Sequence, residues 1–197
     1  MKLIYYLGLI YLGFCILLAF QSPLEAPVDP SRVQNQTNLT TTNAERWFQT
    51  VRPYCNSVEV GIQHKYHAPF PSHGGAGYSA ACFALAGEMD RARETILRLN
   101  PEDRWRAAGV VFGVAHPIAD AGDDVAAGPM MELVVEFWPN HYMALYHAGM
   151  SRYTLGNHRV AREYLRQFLE NYAVNDGWTR NATRILESLK KDATSAI

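Results

Sequence analysis

Three stretches of the chain share one pattern of apolar and polar positions. After Ala92, Ala127 and Ala161, apolar residues follow four positions on (Ile96, Met131, Leu165) and seven positions on (Leu99, Val134, Phe168). Offsets of zero, four and seven lie on one face of an α-helix. Each alanine stands five residues after a glycine, Gly87, Gly122 or Gly156, so the stripes recur at spacings of 35 and then 34. A mostly apolar run leads up to each glycine, as in "YSAACFALAG" and "MALYHAGMSRYTLG". The pattern predicts a helix, a corner and a second helix, repeated. Glycine suits the corner because a helix C-terminus commonly ends in a left-handed residue that only glycine adopts without steric cost. The alanine lets the second helix cross closely over the first. A pair of about 34 residues cannot bury its apolar faces alone and must stack on its neighbours.

The repeated unit resembles the tetratricopeptide repeat. The third copy, His141 to Ala173, carries most of the resemblance, with Leu145, Ala148 and Gly149, then Gly156, then Ala161, Leu165 and Phe168. The second copy has Ala127 and the closing Pro139, but Pro117 is expected to interrupt its first helix. The first copy has Gly87 and Ala92, and its proline, Pro101, comes early, which predicts a short second helix. The resemblance covers roughly Ser72 to Ile185. It implies an all-α fold, a right-handed solenoid of about three helical hairpins with a capping segment at each end. The alternative is an antiparallel helical bundle with glycine corners.

The flanks have different characters. Leu3 to Phe20 carry no charge, and these 18 residues would span roughly 27 Å as a helix, close to a bilayer's hydrocarbon thickness. We expect a membrane anchor over 1–20. A cleaved signal peptide is the runner-up, since Ala26 ends no good cleavage site before its following proline. With Lys2 on the short side, the charge rule places the amino terminus inside and the repeats outside the cytoplasm, on a periplasmic or extracellular face. Residues 21–43, rich in Pro, Thr, Asn and Gln, predict a disordered tether; Asn35, Asn38 and Asn181 head NxT sequons whose simple explanation is chance. Asn43 is a candidate N-cap for a capping segment over 44–71, where Trp47, Phe48 and Val51 form an apolar face. The repeat domain is expected over 72–191, closed by a helix with Trp178, Ala182, Ile185 and Leu189 on one face, and followed by a disordered tail over 192–197.

Charge removes one class of partner. With 18 Lys and Arg against 19 Asp and Glu, the chain has no basic field for nucleic acid. The sequence has no GxSxG, HExxH, P-loop or dinucleotide motif, which argues against an enzyme. His64, His67 and His73 lie close in sequence, and His116 with Asp120 has the four-residue spacing of two ligands on one helical face. Pro117 is expected to spoil that helix, so neither a metal nor another cofactor is expected. Asp120, Asp123 and Asp124 lack the alternating ligands of a calcium loop and read as an interhelical turn. Cys55 and Cys82, 27 positions apart, are the two cysteines of the folded part. They pair if the domain faces an oxidising compartment, and are otherwise an ordinary thiol and a small buried hydrophobe.

The resemblance implies a binding wall on the first helix of each hairpin. Its positions here are Gly74, Gly77, Ala81 and Ala84, then Gly109, Phe112, His116 and Ala119, then Met143, Tyr146, Met150 and Tyr153. The Lys, Asn and Arg set with which some family members hold a terminal carboxylate is absent from them. Phe112, His116, Met143, Tyr146, Met150 and Tyr153 would form a cleft for an apolar or aromatic anchor of a peptide or helix; the other reading packs them under a capping helix. The expected function is a non-catalytic, membrane-tethered scaffold for a protein partner. The competing class is a metal- or small-ligand-binding helical domain built on the histidines.

Overall fold

The computed structural model describes residues 43–195, with side chains as far as Lys191. The anchor expected over 1–20 and nearly all of the tether lie outside them. The regular elements among the described residues are all helical, with no strand. Residues 43–51 form α1, followed by a 3-10 turn at Arg52–Tyr54 and then α2 (Val60–Tyr66), α3 (His73–Leu85), α4 (Met89–Leu97), α5 (Pro101–Asp120), α6 (Asp124–Phe137), α7 (Tyr142–Thr154), α8 (His158–Asn171) and α9 (Gly177–Ser195). No described helix is long and apolar enough to cross a membrane. Two expected boundaries move. Asn43 is already helical, and its side chain accepts from Arg46 Nη1 at 3.0 Å rather than capping a backbone amide. The tail expected from residue 192 is helical as far as Ser195.

The three corners are built alike. Gly87, Gly122 and Gly156 are the residues with positive φ among those described, at +80°, +91° and +75°. Each glycine N–H bonds the carbonyl three residues back, Ala84 at 3.0 Å, Ala119 at 2.8 Å and Tyr153 at 3.0 Å. The next amide, of Glu88, Asp123 or Asn157, bonds the carbonyl five residues back at 2.9, 3.2 and 2.8 Å. This double closure uses the last helical carbonyls that have no intrahelical donor. A residue with a Cβ at any of these glycines would cost about 1 to 2 kcal/mol in backbone strain.

Each corner folds a helix back on the one before it. α3 packs on α4, α5 on α6 and α7 on α8, and between hairpins α3 lies on α5 and α6 on α7. Ala92, Ala127 and Ala161 are fully buried in the second helices. Close approach is enforced elsewhere by missing side chains: a Cβ on Gly77 of α3 would come within 2.6 Å of Val110 Cβ, and one on Gly149 of α7 within 2.8 Å of Leu165. α4 has 9 residues against 14 in α6 and in α8, as the early Pro101 predicts. One expectation fails: α5 runs through Pro117 to Asp120 without a break. That proline removes the N–H that would have met Gly113 and crowds its carbonyl, but only three helical residues follow before the corner.

At the amino-terminal end Phe48, Val51 and Val60 enter a core shared with α3 to α6. Cys55 is joined to Cys82 of α3 by a disulfide with a Cα–Cα separation of 4.9 Å. At the other end Ala182, Ile185 and Leu189 of α9 pack with Leu145, Leu165 and Phe168 in a second cluster. Asp176 caps α9, accepting from the amides of Trp178 at 2.9 Å and Thr179 at 3.2 Å.

Candidate functional site

The residues expected to form one open wall divide into two groups. Tyr146 is 5% exposed. Its ring lies edge-on to Phe168 at 5.1 Å and to Trp178 at 4.9 Å, and its hydroxyl accepts from Asn181 Nδ2 at 2.6 Å. Burial pushes its hydroxyl pKa up. Met150 and Tyr153 pack against the same cluster. Here the apolar stripe of α9 covers the wall, so Tyr146 is core rather than groove. Gly74, Gly77, Ala81 and Ala84 are buried as well. Phe112, His116 and Met143 remain half-buried.

Around Phe112 the aromatic rings form a continuous series. Trp105 meets Trp138 edge-on at 5.2 Å, Trp138 meets His141 at 4.6 Å and His141 lies 4.1 Å from Phe112. Phe112 stacks on His116 at 4.6 Å, His116 meets His147 at 5.4 Å, and His147 meets Trp178 at 5.7 Å. Trp105 at 43%, Tyr142 at 40% and Trp178 at 36% exposure form its open rim. His141 accepts from the Ala144 amide through Nδ1 at 3.3 Å, which caps α7, and burial holds its pKa below the ordinary value.

Within this series three potential ligands converge. His116 and Asp120 stand four apart on α5, and because the helix continues through Pro117 they share a face. His147 comes from the middle of α7 and is 2% exposed. His116 Nε2 lies 3.4 Å and His147 Nε2 3.9 Å from Asp120 Oδ1. One nitrogen or oxygen from each residue falls within 4.8 Å of the other two, the one such group of three among the described residues. Neither Nε2 atom has a hydrogen-bond partner, although both are buried. The 3.4 Å separation from Asp120 therefore marks proximity without a proton shared between the groups. On its other side His147 Nδ1 lies 2.8 Å from Asp124 Oδ1. An ionised carboxylate only accepts, so Nδ1 carries the proton, and in the neutral ring Nε2 is the lone-pair nitrogen, 3.9 Å from Asp120 Oδ1.

Sequence reasoning found His116 and Asp120 by their spacing, read Asp124 as part of an interhelical turn although it opens α6, and missed His147. The one available signal was a lone histidine inside the otherwise apolar run "MALYHAGM". His64, His67 and His73 do not form such a group. His64 Nδ1 bonds the Val60 carbonyl at 2.8 Å and its Nε2 meets Ser79 Oγ at 2.7 Å, while the ring stacks on Phe83 at 4.0 Å. His67 is exposed, and His73 lies 4.0 Å from Asp103. Asp123 caps α6 by accepting from the Ala126 amide at 3.0 Å. No family model, curated protein or solved structure matches the chain.

Proposed function

We propose that this chain is a non-catalytic, membrane-tethered interaction module, a right-handed stack of tetratricopeptide-like hairpins that holds a protein partner outside the cytoplasm. The observation that carries the reading is the half-exposed aromatic series with its rim at Trp105, Tyr142 and Trp178. Aromatic side chains offer large contact area at low conformational cost and are enriched where proteins bind proteins. The partner segment is extended or helical and presents an apolar or aromatic anchor, seated near Phe112 and Met143 rather than at the covered Tyr146. The three like corners support the repeat reading, and the uncharged stretch from Leu3 to Phe20 supports the anchor. The Cys55–Cys82 bridge supports an oxidising compartment, because such bonds persist outside the reducing cytosol.

Site-directed photo-crosslinking in the native membrane tests the binding face. A photoreactive residue at Tyr142 is expected to capture one defined protein, and one at Val58, which is 79% exposed at the amino-terminal end, is expected to capture none. Trp105→Ala together with Trp138→Ala should abolish the capture at Tyr142 with helical content retained. Capture of the same protein from both positions, or capture undiminished in the double variant, overturns the proposal.

A further inference from the structure

We propose that His116, Asp120 and His147 bind one divalent transition-metal ion of the zinc class through two imidazole Nε2 atoms and one carboxylate oxygen. The site does not depend on the partner-binding reading, because it rests on side-chain geometry alone. Its first support is the pair of unpartnered nitrogens. A buried polar atom without a partner is destabilising, and here two of them lie 3.4 and 3.9 Å from the same carboxylate oxygen. A cation between the three groups would satisfy both lone pairs and the carboxylate at once.

The second support lies behind His147. Its Nδ1–H is held by Asp124 at 2.8 Å. This carboxylate–imidazole pairing fixes the tautomer that leaves Nε2 free and raises the basicity of the ligating nitrogen. Ring contacts hold both imidazoles in place, Phe112 against His116 and Trp178 against His147.

The donor set restricts the ion. Imidazole nitrogens disfavour magnesium and calcium, which prefer oxygen, and no thiolate is present to favour copper(I) or an iron–sulfur cluster. Zinc–nitrogen bonds of about 2.0 to 2.1 Å place tetrahedral ligand atoms roughly 3.3 Å apart. The separations of 3.4 and 3.9 Å to Asp120, with all three ligand atoms within 4.8 Å of one another, require the side chains to close inward around the ion. Three protein ligands leave at least one coordination position for water or another small donor. The Asp120 side chain is 48% exposed, so that position opens toward solvent and provides the path of entry.

The experiment uses the full chain in detergent, stripped of metal with a chelator and titrated with Zn²⁺ by calorimetry and with Co²⁺ by visible absorption. One Zn²⁺ per chain is expected, with Co²⁺ giving ligand-field bands of a low-coordinate nitrogen and oxygen site. Asp120→Asn and His116→Gln, both at partly exposed positions, should each weaken Zn²⁺ by at least about 100-fold, and Asp124→Asn, which only orients His147, by roughly 10- to 100-fold. His67→Ala, a surface histidine elsewhere, should leave the affinity unchanged. Absence of stoichiometric Zn²⁺ overturns the proposal, as does unchanged affinity in Asp120→Asn or in His116→Gln when circular dichroism shows the fold retained.

Discussion

At the amino-terminal end, α1 and α2 meet α3 through two stacked ring pairs, Phe48 on Tyr78 and His64 on Phe83, and one covalent link; at the carboxyl-terminal end, α9 meets the preceding hairpin through an ordinary amphipathic stripe. The difference follows from what each end offers its cover. α3 offers the rings of Tyr78 and Phe83 to the cap, while its Gly77 faces Val110 of α5. α2 has 7 residues and buries Val60 alone. α1 adds Phe48 and Val51 to that burial, and the Cys55–Cys82 bridge adds stability by restricting the unfolded chain. α9 buries Ile185 and Leu189 against Leu145, Leu165 and Phe168. Large side chains of this type contribute about 1.5 to 3 kcal/mol each when fully buried, and no covalent link joins the elements there. Two solutions to the same end-capping problem thus differ in whether a covalent link joins the cover to the helix it covers.

Removing the bridge gives the sharpest test of this contrast. Cys55→Ser with Cys82→Ser is expected to cost about 3 kcal/mol for a loop of this length. The loss should concentrate in α1 to α3, read as faster hydrogen exchange there with α7 to α9 unchanged. Uniform acceleration across both ends would show that the ends are not independently secured. A smaller effect addresses the other end. Ala161, fully buried on α8 and expected at its crossing with α7, should not accept a larger side chain, and Ala161→Leu is expected to destabilise by roughly 1 to 3 kcal/mol. Ala173→Leu, at an exposed position, should shift the melting temperature far less. Equal melting temperatures for the two variants would remove the crossing assigned to Ala161.

Acid should distinguish the ends by the smallest effect. Burial, aided by the nearby Arg91 charge, holds the His64 pKa below its ordinary value of 6.5. The folded state therefore binds the proton less readily than the unfolded chain. Its contribution to stability is full above about pH 6.5 and is lost as pH falls below that value toward the folded pKa. Hydrogen exchange in α2 and α3 should accelerate more than in α8 and α9 between pH 7.5 and 5.5, and His64→Gln should reduce that difference. An equal response of the two ends in the unsubstituted chain would refute it.

The corners were legible because they are encoded locally. A glycine, the two backbone bonds that require its left-handed conformation and the alanine five residues later all fall within one short window. The short α4 was legible for the same reason, through Pro101. The path of α5 was not, since a proline's effect depends on how much helix remains beyond it, and only three residues follow Pro117. The wall around Tyr146 was half legible. Its residues lie on one helical face, but whether that face is open depends on α9, whose docking is a long-range event. The candidate metal site lay furthest from the sequence pattern. His116 and Asp120 form a local pair, whereas His147 belongs to the next hairpin and reaches them only through the packing of α6 on α7.

That last arrangement bears on how such a chain can change over evolutionary time. Units with matching corners are the kind that duplication or loss can insert or delete without disturbing either end. Helices packed side by side sit about 8 to 10 Å apart, so one extra hairpin between Asp120 and His147 would carry the second imidazole well beyond bonding distance of the first. Duplication elsewhere would leave the site whole. If the ion matters to the organism, the α5–α7 segment is the part of this chain whose length selection cannot let drift.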